Sequence, residues 1–219
     1  MNKINYQKEL DQITAKIDPA HKPHLFLHAC CAPCSSYVLE YLTQYFRITV
    51  FYYNPNITSK EEYDRRVHEL YKFVNDAGYT EDQVRIVLGD YDPSVYYEAV
   101  KGMEDLPEKS QRCYVCYRLR MEEAAKKASE YGADYFTTTL SISPHKITSW
   151  INEIGEELAK KYGVAHLPSD FKKRGGFLRS TELSKQYGLY RQDYCGCIFS
   201  KRESEQRKAE KAREAEVSA

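Results

Sequence analysis

HLFLHACCAPCSSYVLEYLTQYF, residues 24–46, decides the fold: an apolar run of strand length ends in three cysteines and opens directly into a helical pattern. Pro33 helps to stop the strand and turn the chain. The same alternation recurs downstream. ITVFYYN (48–54) leads to SKEEYDRRVHELYKFVNDAG (59–78), and VRIVLGD (84–90) to PSVYYEAVKGM (93–103) and CYVCYRLRMEEAAKKASEYG (113–132). DYFTTTL (134–140) precedes HKITSWINEIGEELAKKYG (145–163), which runs into VAHLP (164–168). Short apolar runs joined by helices through right-handed crossovers make a parallel sheet covered on both faces. The pattern predicts an α/β fold, a single doubly wound domain with about five parallel strands. Residues 1–199 form that domain, including an N-terminal helix in MNKINYQKELDQITAKID, and residues 200–219 a charged C-terminal helical tail.

In such a sheet, ligands bind beyond the carboxyl ends of the strands. The unusual segments cluster there: CCAPCSS after the first strand, YYNPNI after the second, GDYDP after the third, TTLSISPHK after the fourth and PSDFKKRGG after the fifth. Composition narrows the chemistry. At 219 residues the chain supports one full core, and 32 basic residues balance 32 acidic ones, so no strongly basic overall field exists. Twenty tyrosines are read first as amphipathic packing at the core edge. No run of apolar residues is long enough to span a membrane, and the N-terminus lacks the apolar stretch of a signal peptide. The chain reads as cytoplasmic, where seven cysteines point to metal or catalysis rather than structural disulfides.

Those cysteines fall in three groups: Cys30, Cys31 and Cys34; Cys113 and Cys116; Cys195 and Cys197. Cys113 and Cys116 share one face at the start of a helix, whose N-terminus favours thiolate, the metal-ligating form. Arg112, Arg118 and Arg120 add positive charge that offsets an anionic centre. Four thiolates suit either zinc or a [4Fe–4S] cluster. Adjacent cysteines reaching one small ion are expected to strain the backbone, which favours the cluster. CGC (195–197) is open to two readings, a strained redox disulfide or two ligands of a second metal with Cys34 as the third.

Taken together, HACCAPCSS, FYYNPNI, RCYVCYRLRMEEAA, TTTLSISPHK and YRQDYCGCIFS, in that order, resemble the cobalamin-independent epoxyqueuosine reductases of the QueH family over about residues 24–200. The resemblance implies reduction of epoxyqueuosine to queuosine at the tRNA wobble position, the last step of queuosine biosynthesis. It also implies a nucleotide alpha-hydrolase/HUP-like domain and a [4Fe–4S] cluster without cobalamin. By motif, Cys30, Cys31, Cys113 and Cys116 match cluster ligands, and Cys195 and Cys197 match the redox-active pair. Cys34 is kept as a ligand of a second, mononuclear iron. An external electron donor is expected, because no G-x-G-x-x-G supports a bound nicotinamide.

An anticodon substrate calls for a pocket for an extruded base and a surface for phosphates. Tyr52, Tyr53 and Asn54 stand at a strand end, where a ring stacks on a base and an amide reads its edge. Asp90 and Asp92 read as turn formers ahead of proton donors. His145 and Lys146 are candidate donors to the epoxide oxygen or to phosphate. Lys172, Lys173, Arg174 and Arg179 carry positive charge in a segment, 171–180, without an acid of its own. His28 is close enough to the cysteines to tune them, and the other histidines have no ligand spacing. Two rivals stand: a zinc-stabilised tRNA-binding module, and an ATP-pyrophosphatase-like tRNA-modifying enzyme. The second expects a glycine-rich phosphate loop where this chain has HACCAPCSS.

Overall fold

A computed structural model describes residues 4–217. The first three residues of the expected N-terminal helical pattern and the last two of the tail lie outside them. Among the described residues five strands and eight helices follow one another as α1 (Tyr6–Thr14), β1 (His24–His28), α2 (Ala32–Leu42), β2 (Arg47–Tyr52), α3 (Lys60–Asp76), β3 (Val84–Leu88), α4 (Pro93–Ala99), α5 (Gln111–Glu130), β4 (Tyr135–Thr138), α6 (Thr148–Tyr162), β5 (Ala165–His166), α7 (Gly176–Gln186) and α8 (Ile198–Val217). All strand pairs are parallel, in the order β3-β2-β1-β4-β5. The predicted doubly wound sheet is therefore present, and the tail helix begins two residues before the expected boundary. No described helix is long and apolar enough to cross a membrane.

Strand alternation assigns the two faces. Leu25, Leu27, Ile48, Val50 and Tyr52 point to one side, against Val38, Leu39 and Leu42 of α2 and Leu70 and Phe73 of α3. Phe26, Phe51 and Phe136 point to the other, against Tyr117, Met121, Ala124 and Ala128 of α5 and Ile151, Ile154 and Leu158 of α6. This period of two is what the pleat imposes.

Local signals set the helix ends that matter for function. Cys31 is the extended N-cap of α2, with Pro33 in the first turn. Asp92 caps α4, its Oδ1 accepting from the Ser94 amide at 2.9 Å, which bears out the turn reading of that aspartate. The strand order reverses between β1 and β4. The crevice at that switch point lies beyond their carboxyl ends, bounded by the Cys30–Cys31 loop and by a short 3-10 helix over Thr139–Ile142.

Gly155 lets α6 close on the short β5. A Cβ there would fall 2.3 Å from Nε2 of the buried His166. Gly155→Ala is expected to destabilise the chain by about 1–3 kcal/mol through overpacking, outweighing the ~1 kcal/mol that Ala gains as a helix former. Urea unfolding measures this, and an unchanged midpoint would mean that His166 has room to move.

Candidate active site and metal centre

Beyond His28 the chain leaves β1 and turns over the sheet edge. The Cys30 amide donates to Thr139 Oγ1 at 3.2 Å, tying the loop to the 3-10 helix across the switch point. Cys34 lies in the first turn of α2. The sulfurs of Cys30, Cys31 and Cys34 lie within 4.8 Å of one another, and those of Cys30 and Cys31 are 3.9 Å apart. A tetrahedral ion with metal–sulfur bonds of about 2.3 Å sets ligand sulfurs roughly 3.8 Å apart, so the adjacent pair already matches one edge. An extended Cys31 backbone brings the two thiols together, and neither cysteine has positive φ. Hydrogen bonds from Cys30 and Cys34, helped by the Arg66 charge, hold the Cys31 thiol well below the ordinary range. Hydrogen bonds with Cys30 and Cys31, followed by burial, push Cys34 up.

Cys113 and Cys116 sit one turn apart at the start of α5. Burial raises both thiols, that of Cys116 to about 12. Their thiol neighbours are Cys195 for Cys113, and Cys195 and Cys197 for Cys116. The structure thus groups Cys34 with Cys30 and Cys31, and Cys113 and Cys116 with the CGC segment. Cys195 has Lys146 Nζ 3.0 Å from its sulfur. Burial opposes ionisation of Cys195, but Lys146 and Arg120 offset it and hold the thiol below its usual range.

The CGC disulfide is not formed in this structure. All seven cysteines are free, and Cys197 turns its sulfur away from Lys146 to Arg112 Nη1 at 3.7 Å and the Ser200 amide at 3.4 Å. Gly196 is nevertheless required. Its φ is 125°, and a Cβ would lie 2.9 Å from Ile57 and 3.2 Å from Arg66 Nη1.

Three guanidinium groups lie beneath these thiols, those of Arg66, Arg112 and Arg120, each 1% exposed. Arg112, Cys116 and Arg120 are spaced by four on α5, so they share the face that also buries Tyr117 and Ala124. Arg118, also expected at the site, instead pairs with Glu157 at the surface. Arg66 was missed by sequence reasoning. Its signal is its register: with Tyr63, Leu70 and Phe73 it occupies the buried stripe of α3. Its Nε donates to Glu62 at 2.6 Å and its Nη1 to the Cys195 carbonyl at 3.1 Å. Burial, followed by the Arg120 charge, lowers His28 to about 4. The neutral ring donates from Nε2 to the Tyr53 carbonyl at 3.0 Å and accepts at Nδ1 from Thr138 at 2.8 Å.

A cavity of about 430 Å³ opens over this edge, lined by Cys30, Cys31, Cys34, Cys195, Arg120 and Lys146. His145 also lines it and is exposed, whereas the Lys146 side chain is only 7% exposed and faces Cys195 and Glu108. Tyr52 and Asn54 do not have the substrate role expected of them. Tyr52 is fully buried with its ring on Tyr63. Asn54, also buried, donates to the Ala29 carbonyl at 2.9 Å and accepts from Arg120 Nη1 at 3.2 Å. A strand-end position puts a side chain on either face of the sheet, and Tyr52 takes the core face.

The 171–180 segment is corrected as well, because acids outside it pair with three of its four cations. Lys172 pairs with Asp170 at 2.7 Å, Arg174 with Asp11, and Arg179 with Glu40 at 2.7 Å and Glu182 at 3.2 Å. Lys173, exposed, has no ion-pair partner among the described residues. Cations at the cavity mouth come instead from Arg191 and Arg207, beside the exposed ring of Phe177.

The donor set fits a thiolate-bound metal: seven reduced sulfurs, two helix N-termini and buried cations able to balance several thiolates. The profile of the family described as epoxyqueuosine reductase QueH matches residues 25–203. The epoxyqueuosine reductase QueH of Streptococcus pyogenes serotype M1 is 44% identical over 201 residues, covering 90% of this chain and 78% of that protein. That of Thermotoga maritima is 36% identical over 195 residues, covering 86% of this chain and 96% of its own. Among solved structures, the U34-tRNA thiolase NcsA from Methanococcus maripaludis, with its [4Fe-4S] cluster, aligns at a TM-score of 0.50 and 12% identity over 91% of this chain and 71% of that one. That likeness is one of fold.

Arg66→Met removes the cation that ties α3 to the Cys195 carbonyl and leaves Glu62 without its buried partner. A loss of about 3–5 kcal/mol is expected, read by chemical denaturation of the metal-free chain. A loss below ~1 kcal/mol would show that the tie carries little.

Proposed function

The chain belongs to the epoxyqueuosine reductase QueH family, and we propose that it reduces epoxyqueuosine in tRNA to queuosine at a thiolate-held iron–sulfur centre. The observation that carries this reading is the convergence on one cavity, at the switch point of the sheet, of Cys30, Cys31 and Cys34 with Cys195, the neighbour of Cys113 and Cys116. Cys30, Cys31, Cys113 and Cys116 are the proposed cluster ligands. Cys34 and Cys195 then remain as donors lining the cavity, where a second, mononuclear iron would take them. Cys197, turned toward Arg112, supports the loop rather than facing substrate.

Turning the epoxide into an alkene releases one oxygen as water and consumes two electrons and two protons. An iron–sulfur centre held by these thiols would supply electrons singly and would be reloaded by an external donor. The chain's own residues bind and protonate. The cavity's volume lies in the range that encloses a small ligand, which suits an extruded nucleoside. Lys146 Nζ holds a proton inside the cavity, kept there by the Cys195 sulfur despite burial. His145 at the mouth connects it to solvent. Arg191 and Arg207 take the flanking phosphates, and Phe177 offers a ring for stacking.

Anaerobic reconstitution with iron and sulfide, followed by assay on epoxyqueuosine-containing tRNA with a chemical reductant, is expected to yield queuosine. An iron-loaded sample giving no conversion overturns the reading, and a sample that binds zinc alone supports the non-catalytic rival. Cys34→Ser is expected to keep the brown cluster absorbance and to lose about one iron per chain by metal analysis.

Arg191→Gln with Arg207→Gln is expected to weaken tRNA binding and to flatten its log–log salt slope by about 0.7 per lost phosphate contact. Neutralising Lys172, Arg174 and Arg179 should leave that slope nearly unchanged, because their charges are already paired. The opposite ranking would return the phosphate contact to the 171–180 segment.

A further inference from the structure

Three of the four buried cations at the site have a carboxylate. Arg66 has Glu62 at 2.6 Å, Arg112 has Glu203 at 3.1 Å, and Lys146 has Glu108 at 3.9 Å. Arg120 has none among the described residues. Its Nε donates to the Cys116 carbonyl at 3.3 Å and its Nη1 to Asn54 Oδ1 at 3.2 Å. Its Nη2 is buried without a hydrogen-bond partner, although the residue lines the cavity. The other ring at hand, His28, is neutral and engaged at both nitrogens, so it answers no charge. A guanidinium stays ionised under all ordinary conditions. Buried without a counter-ion and with an idle donor, it is unfavourable unless negative charge comes to it.

The groups near Arg120 that can take up negative charge are the thiols of Cys116, Cys195 and Cys30, drawn from both groups, and the phenol of Tyr117. Every other polar partner of the side chain is neutral. We propose that Arg120 is the built-in counter-charge of the metal centre, its free Nη2 donating to sulfur between the two thiol groups and its charge setting the centre's reduction potential. This rests on the iron–sulfur reading above. Arg120 is a positioning and tuning residue: it acts through the centre and touches no reacting atom of the substrate. A fixed positive charge beside an electron-accepting group favours its reduced form, because reduction adds negative charge next to it.

The test compares wild type, Arg120→Met and Arg120→Lys after anaerobic reconstitution, with iron and sulfide content measured alongside a dye-mediated redox titration. Arg120→Met is expected to move the midpoint to more negative potential. At the wild-type midpoint its reduced-to-oxidised ratio should fall at least tenfold, equivalent to about 59 mV for one electron. Arg120→Lys, which keeps the charge, should recover most of that shift. If Arg120→Met no longer holds iron while Arg120→Lys does, the counter-charge role is also supported. An unchanged midpoint in iron-loaded Arg120→Met overturns the inference, as does an equal shift or equal iron loss in both variants. A wild-type chain that takes up no iron and sulfide overturns the iron–sulfur reading itself and is told apart from those results.

Discussion

Positive charge buried beneath thiols is the constraint on which this site depends. Arg112 and Arg120 ride on the same face of α5 as Cys116, and Arg66 enters from α3 on the opposite side of the sheet. An apolar residue at any of these positions would pack more cheaply, since bringing an ion out of water costs several kcal/mol even after relaxation. That cost is offset where a carboxylate or a thiolate answers the charge. The metal-free chain balances these cations partly through carboxylates, Glu62, Glu108 and Glu203, and partly through thiols that burial would otherwise keep protonated. The framework is therefore electrostatically prepared for an anionic centre.

Topology brings two of the cysteine groups to one edge of the sheet. Cys30 and Cys31 follow β1, while Cys113 and Cys116 open α5, the helix that leads into β4. Because β1 and β4 are neighbours in the sheet, the loop after one strand and the helix before the other converge at the same edge of the crevice. Thr139, just after β4, then fixes the Cys30 amide. About eighty residues of sequence separation collapse through one pair of parallel strands, and CGC is drawn in by the Arg66 contact to the Cys195 carbonyl.

The fold was largely legible because its signals are local. Alternation in HLFLH and ITVFY, proline after the first cysteines and glycine just past α3, α5, α6 and α7 are one-dimensional features with one-dimensional causes. The cysteine groups were legible for the same reason. Partnership was not. The segment 171–180 reads as a basic patch, yet beside its near neighbours Asp170 and Glu182 it meets Asp11 of α1 and Glu40 of α2, which only the packed chain brings to it. Tyr52 and Asn54 occupy a strand end, and side-chain direction there depends on register, which a quoted motif does not carry. Arg66 was hidden in a run of charges, although its place in the stripe of Tyr63, Leu70 and Phe73 marks it as buried.

The CGC segment shows how this charge framework governs chemistry. A disulfide between Cys195 and Cys197 would take one sulfur from Lys146 and the other from Arg112, leaving two cations that now rest on sulfur with less negative charge nearby. It would also neutralise the thiolate character on which Lys146 depends for its proton. Gly196, held against Ile57 and Arg66, fixes the backbone so that the two side chains diverge. Cys195 faces the cavity, and Cys197 faces the start of α8, where the Ser200 amide meets it. The two cysteines thus have different neighbours. One is exposed to what enters the cavity, and the other fastens the tail helix to the same electrostatic cluster, so that the metal site and the α8 anchor share one set of buried charges.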